Sequence, residues 1–207
     1  MYSPSALFRQ DSASWSKDAL SALCSVVTSC KNFKVRIKSA AALSIPVLRA
    51  CYGDAERFGH VWRSLAEALE NSEDTHDFLE YRYCASLRHT LSQALLHLLS
   101  LSQSQDMPTL GASLAGEAGR GVREHLVKYL LGEVGGEVVE GPEGEKEAGD
   151  VERPSPRQRI LCLRETLNRL KELRLEEEGD HGAHVVVLDF LEDLLKSCEE
   201  LKADSST

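Results

Sequence analysis

Val35-Arg36-Ile37-Lys38-Ser39-Ala40-Ala41-Ala42-Leu43 and Leu87-Arg88-His89-Thr90-Leu91-Ser92-Gln93-Ala94-Leu95 are two copies of one helical pattern, 52 residues apart. In each copy a large apolar residue and an arginine open the stretch and an Ala-Leu pair closes it. Small residues at Ser39, Ala40 and Ala42 let a helix sit close to its neighbours, while Val35 and Leu43 bracket them as larger contacts. A helix that touches its own partner and the helices on either side needs a buried arc that is wide and partly small. Self-similarity at a fixed period marks a repeat architecture, and repeat architectures are usually binding scaffolds. A partial third copy, Leu163-Arg164-x-x-Leu167, starts 76 residues after Leu87, or 54 once a 22-residue insertion is set aside.

Around these copies the pattern is helical throughout. Leu20, Leu23, Cys24 and Val27 recur at helical spacing behind Ser16, predicting a helix over 16–30. Asn32 offers a turn before the first template helix, which Pro46 stops. Asp54 caps a third helix with Phe58, Trp62, Leu65 and Leu69 on one face. Asp74 or Thr75 opens a long fourth helix over 77–102, striped by Leu87, Leu91, Leu95 and Leu98. Pro108 suits a first turn, but Gly111, Gly116, Gly119 and Gly121 weaken the helical pattern beyond it. They predict a break at 116–121 and a short helix over 122–131. Ser155-Pro156-Arg157-Gln158 is a capping box with proline at the first helical position, leading into Ile160, Leu163, Leu167 and Leu170. A last helix is expected over 183–201; Val185-Val186-Val187-Leu188 is the one β-branched run, and the adjoining Asp189-Phe190-Leu191-Glu192 favours helix.

The charge is unevenly spread over the 207 residues. Of a formal net charge of −9, the segment Glu133–Glu152 carries eight acids against Lys146 alone, leaving about −2 elsewhere. Residues 132–153 are Gly/Glu-rich without apolar periodicity and read as a disordered acidic insertion. The near-neutral remainder argues against bulk nucleic-acid binding. No apolar run approaches the ~18 residues of a membrane span, and residues 2–15 lack the apolar core of a secretion signal. Cys24, Cys30, Cys51, Cys84, Cys162 and Cys198 include no Cys-x-x-Cys and read as reduced thiols, most at apolar helical positions. An intracellular chain, cytoplasmic or nuclear, is the expectation.

Chemistry-bearing constellations are sparse. His181 and His184 beside Asp180 lack a third histidine or cysteine, so no metal site is expected. His89 and His97, with Cys84 and Ser86 nearby, read as a solvated helix face rather than a nucleophile and base. Tyr81-Arg82-Tyr83 carries residue types that anchor interfaces, though packing between repeats is the first expectation. No phosphate-cradling glycine motif occurs. The one basic cluster is Lys31, Lys34, Arg36 and Lys38. Lys34 and Lys38, with Ser86, Thr90, Gln93 and His97 from the second copy, form the ridge expected to face a partner. Its binder should be acidic, with the chain's own acidic insertion as one candidate.

Asn32-x-x-Val35-Arg36-x-x-Ser39-Ala40-x-Ala42-Leu43 resembles the second helix of a HEAT repeat, with Asn32 where the family often has Asp. Lys31 to Leu43, Ser72-Glu73-Asp74-Thr75, Asp77-Phe78-Leu79-Glu80 and Gln93 to Leu101 resemble the C-terminal region of one HEAT-repeat protein, densely from Asp18 to Leu101. The resemblance implies an all-α, HEAT-like α-solenoid of stacked antiparallel helix pairs, about three of them, with armadillo-like superhelical form. The helical pattern places HEAT-like repeats over 16–131 and a C-terminal helix pair capping them over 154–202, with a disordered or truncated N-terminus at 1–15 and a tail at 203–207. The resemblance also implies a fragment or isoform of a longer array that mediates protein contacts, with no catalytic residue and no cofactor. A regulatory or adaptor subunit docked on a catalytic partner is the alternative; an exposed apolar patch over Val185–Leu201 would favour it.

Overall fold

The computed structural model describes residues 18–72, 78–133, 154–176 and 182–204. Among these residues the chain is all-α, without a strand: α1 (18–29), α2 (Phe33–Leu43), α3 (Ala55–Glu70), α4 (Phe78–Leu101), α5 (Met107–Leu114), α6 (Gly116–Leu131), α7 (Pro156–Glu176) and α8 (Gly182–Asp204). Single 3-10 turns, Arg49–Tyr52 and Ser104–Asp106, lead into α3 and α5. The expected ends at 1–15, the acidic stretch from 134 to 153, and Asp74, Thr75, Asp180 and His181 lie outside the described residues.

The start signals act as their chemistry requires. The Asn32 carboxamide oxygen accepts from the Lys34 and Val35 amides, and the Asp54 carboxylate from the Arg57 amide. Ser155 Oγ accepts from the Gln158 amide while Gln158 Oε1 accepts from the Ser155 amide, closing the capping box. The glycine-rich stretch corrects the expected break: α6 begins at Gly116 and runs through Gly119 and Gly121. The break sits at Ala115, which is extended, and at Gly116, with φ +68°. Gly119 is required by close approach, since a Cβ there would collide with the Leu114 backbone carbonyl. The ~1 kcal/mol lost in helix propensity is thus offset by the tight elbow between α5 and α6.

Contacts fix how the helices lie. Phe33 stacks on Tyr83 (centroids 6.5 Å apart), and His97 Nε2 donates to the Pro46 carbonyl (2.8 Å), so α2 and α4 run side by side in the same direction. On the other side of α4, Arg159 lies 3.4 Å from His89, and Arg169 donates to the carbonyls of Leu99 and Ser102. α7 therefore runs parallel to α4 as well. Gly59 meets Thr109 and, one turn on, Trp62 Nε1 donates to Ser113 Oγ (2.8 Å), so α5 runs parallel to α3. Gly111 meets Ala183 and Arg123 meets Asp193, so α8 tracks the bent α5–α6 in the same direction. One core runs through all of this, from Cys24 and Val27 through Trp62, Leu65, Leu91, Leu95 and Leu110 to Leu170, Leu191 and Leu194.

The third template copy needs a correction. Arg36 Nε donates to the Val27 carbonyl (2.8 Å) and Arg88 Nε to that of Ser72 (3.0 Å), each closing the C-terminal end of the helix before it. Arg164, the aligned residue of the third copy, instead pairs with Glu199 of α8. The role falls to Arg159, which donates to the Tyr129 carbonyl at the end of α6 (2.6 Å) and to that of Pro154. The carbonyls that need capping lie beside the first turn of α7, out of reach of a residue five positions on.

Candidate interaction surface

Lys34, Lys38, Ser86 and Gln93 are exposed, Lys34 holding its ammonium 5.7 Å from the Tyr83 ring centre. Thr90 and His97 lie elsewhere. Tyr83, Thr90 and His97 succeed one another at seven-residue spacing, hence on one helix face, and the two ends of that stripe touch Phe33 of α2 and Pro46 just beyond it. Both Thr90 and His97 are half-buried along the α2–α4 seam. The structure therefore brings Lys34, Ser86 and Gln93 to the open side of that seam and draws Thr90 and His97 into it. Neither His89 nor His97 is the solvated residue that sequence suggested: His89 packs edge-on against Tyr129 (4.9 Å between centroids) and accepts from Arg159. His184 is buried on α8, its Nε2 donating to the Leu170 carbonyl.

Two surface grooves offer no catalytic arrangement. A groove of about 570 Å³ between α3 and α5 is lined by Arg63, Glu67, Glu70, Thr109 and Ser113. Burial, with Glu67 nearby, pushes the Glu70 carboxyl above its ordinary range, but no nucleophile–base pair accompanies it. A second groove, about 280 Å³ between α1 and α3, brings Ser21, His60 and Asp54 to one rim. Asp54 is engaged there as the α3 cap and with Arg57 (3.5 Å). Among the described residues no group of His, Cys, Asp and Glu could hold a metal ion, and no helix is long and apolar enough to cross a membrane. Cys24, Cys84 and Cys198 are buried, whereas Cys51 and Cys162 are exposed.

Sequence reasoning missed the pair that anchors the junction of α2, α3 and α5. Arg49 and Asp106, 57 positions apart, form a bidentate ion pair (2.5 and 2.7 Å) with both side chains buried. The guanidinium also donates to the Gly53 and Asp54 carbonyls and lies 4.2 Å from the Phe58 ring centre. Asp106 accepts from the Gln103 amide as well. The one available signal was a lone arginine and a lone aspartate, each just ahead of a helix.

No family model matches the chain, and no solved structure matches it. Over 94 residues it is 33% identical to an uncharacterised protein of Dictyostelium discoideum. The aligned part is 45% of this chain and 6% of that protein, so the chain spans a small fraction of its relative's length.

Proposed function

We propose that this chain is a non-enzymatic protein-interaction scaffold, built as a HEAT-like α-solenoid and forming the C-terminal end of a longer array. The observation that carries the reading is the order of the helices. α2, α4 and α7 lie parallel on one side, and α3, the bent α5–α6 and α8 lie parallel to one another on the other. Each template helix closes the end of its predecessor through Arg36, Arg88 or Arg159. Pairs α1/α2, α3/α4 and α5–α6/α7 then follow one repeat rule, and α8 packs against α7 through Arg164–Glu199 and Lys171–Glu192. Its outward positions Asp189, Glu192, Asp193, Lys196, Glu199 and Glu200 are exposed and charged, the polar outer face that a terminal repeat needs. The same charges weaken the adaptor alternative, because Leu201 is the one large apolar residue exposed on α8 among the described residues.

The test is affinity capture with the full chain and with a Lys34→Glu/Lys38→Glu variant, both shown to be folded by circular dichroism. Partners retained by the wild type and lost by the variant support a scaffold reading through the α2 side. No specific partner for either protein, at concentrations where both are folded, overturns it.

A further inference from the structure

α2, α4 and α7 lie side by side, and a residue two positions from a buried one points about 160° away from it around a helix. Lys38 stands two positions from Ala40, Gln93 from Leu91, Glu165 from Leu163 and Glu172 from Leu170; the first of each pair is exposed and the second buried. All four therefore share one open face, turned away from α3, α5–α6 and α8. The charge on that face is ordered. α2 presents Lys34 and Lys38, with no acid anywhere from 31 to 53, and α4 carries no Asp, Glu, Lys or Arg from 89 to 105. α7 presents Glu165 and Glu172, and the bases beside them are engaged elsewhere: Arg164 pairs with Glu199 and Lys171 with Glu192 of α8. Neither Glu165 nor Glu172 has a cation partner among the described residues. A basic wall, an uncharged floor and an acidic wall thus follow one another across the row.

We propose that this face is a docking trough for an extended segment of a partner protein, with carboxylates at one end and lysines or arginines at the other. This rests on the scaffold reading and gives it a ligand class. The carboxylates meet Lys34 and Lys38, the bases meet Glu165 and Glu172, and an apolar residue between them meets Leu161, which is 55% exposed. Phe33 beside Tyr83 and His89 beside Arg159 set the relative levels of the three helices. Glu165 then lies about 10 Å further along the row than Lys38 and about 18 Å across it, a span of roughly 20 Å. About six extended residues cover that distance. An extended backbone has amides and carbonyls to satisfy. Ser86 and Gln93 are exposed on the floor, make no side-chain hydrogen bond among the described residues, and can both donate and accept. A helical occupant satisfies its own backbone and needs an apolar groove, which this polar floor does not provide. A segment of one charge sign gains at one wall and is repelled at the other, so the opposed walls select a bipolar one. The Val35–Ala42 stripe of α2 takes no part, since in a longer array a preceding helix packs there as α2 packs on α4.

The probes are three fluorescein-labelled synthetic peptides. The bipolar one has a pair of glutamates and a pair of arginines separated by a Ser/Gly spacer of about six residues that contains one leucine; its twins carry only glutamates or only arginines at both ends. Fluorescence anisotropy with the full chain should show saturable binding of the bipolar peptide, at least tenfold tighter than either twin and weakening with salt. Glu165→Lys/Glu172→Lys, with an unchanged circular dichroism spectrum, should weaken the bipolar peptide at least tenfold and tighten the all-acidic twin by as much. Glu56→Lys/Glu124→Lys makes the same change of net charge at exposed positions of α3 and α6 and should alter neither. Should the first variant not fold, Lys34→Glu/Lys38→Glu is the mirror test, with the all-basic twin gaining. A twin that binds as tightly as the bipolar peptide, no saturable binding, or the same response from the site variant and its charge-matched control overturns the proposal. Lys34/Lys38-dependent capture of cellular partners alongside no preference for the bipolar peptide sinks the trough while the scaffold reading stands; loss of both sinks both.

Discussion

The guanidinium of Arg49 joins a carboxylate from the α4–α5 connection, two carbonyls ahead of α3 and the face of Phe58, with both members of the ion pair buried. Removing one member of a buried pair leaves the other charge without compensation, which costs about 3–5 kcal/mol, whereas replacing both by apolar groups of similar volume costs far less. Arg49→Met and Asp106→Leu are each expected to lower the denaturation midpoint sharply, and the double variant to recover much of the loss; equal, additive losses in urea titrations would refute this. Alkaline pH should act at the same scale. Burial holds the phenols of Tyr52 and Tyr129 and the thiol of Cys24 above their ordinary values of 10.0 and 9.0. The neutral forms are favoured in the fold, so their contribution is complete below pH 9 and is lost as pH rises through 9 and then 10. The melting temperature should fall across that window, and Tyr129→Phe should flatten the fall. The apolar partners of these groups were legible in sequence: Phe58, Trp62, Leu65 and Leu69 are buried as their spacing required. Arg49 and Asp106 were not, because a charged residue ahead of a helix looks the same whether it faces water or a partner 57 residues away.

Among the elements, the helices with side-chain caps could be read and the elbow could not. Asn32, Asp54 and Ser155 announce their helices through oxygens that accept from amides two or three residues on, a signal contained in a few adjacent letters. Asn32→Ala should therefore cost about 1 kcal/mol, measurable by chemical denaturation. Gly116, Gly119 and Gly121 carry no such local message. Propensity counts them all as helix breakers, yet the structure spends one on positive φ and one on the approach of α6 to Leu114, and keeps α6 helical around them. Gly119→Ala must push two backbones apart, and overpacking of this kind costs about 1–3 kcal/mol. Gly121→Ala has open space, its nearest neighbour being the Glu70 side chain at 3.7 Å, and is expected to stabilise by a few tenths up to about 1 kcal/mol through helix propensity. Opposite signs from two glycines on the same helix, measured by differential scanning calorimetry, would place the elbow where the geometry puts it; equal losses at both would not.

For the whole molecule, the repeat in the letters marked α2, α4 and α7 as equivalent, but it could not say which helices lie opposite them. The template register is set by packing on neighbouring helices, while the α5–α6 elbow and the placing of α8 depend on contacts such as Gly111 with Ala183 and His184 with the Leu170 carbonyl. The candidate surface divided the same way: Lys34, Ser86 and Gln93 stayed on the open side, and Thr90 and His97 went to a seam set by where α2 comes to rest. An array in which each unit touches only its neighbours responds locally to injury, whereas a single cooperative globule fails as one. Ending the chain before Gly182 removes α8 and uncovers the faces of α5, α6 and α7 that meet Ala183, Asp193, Glu192 and Glu199. In hydrogen exchange, amides of α5, α6 and α7 should lose protection by tenfold or more. Those of α2 should keep theirs, with α3 and α4 intermediate because they border α5 and α7 respectively. Uniform loss along the chain would mean that the helices share one indivisible core, and the array reading would then have to give way to a globular bundle.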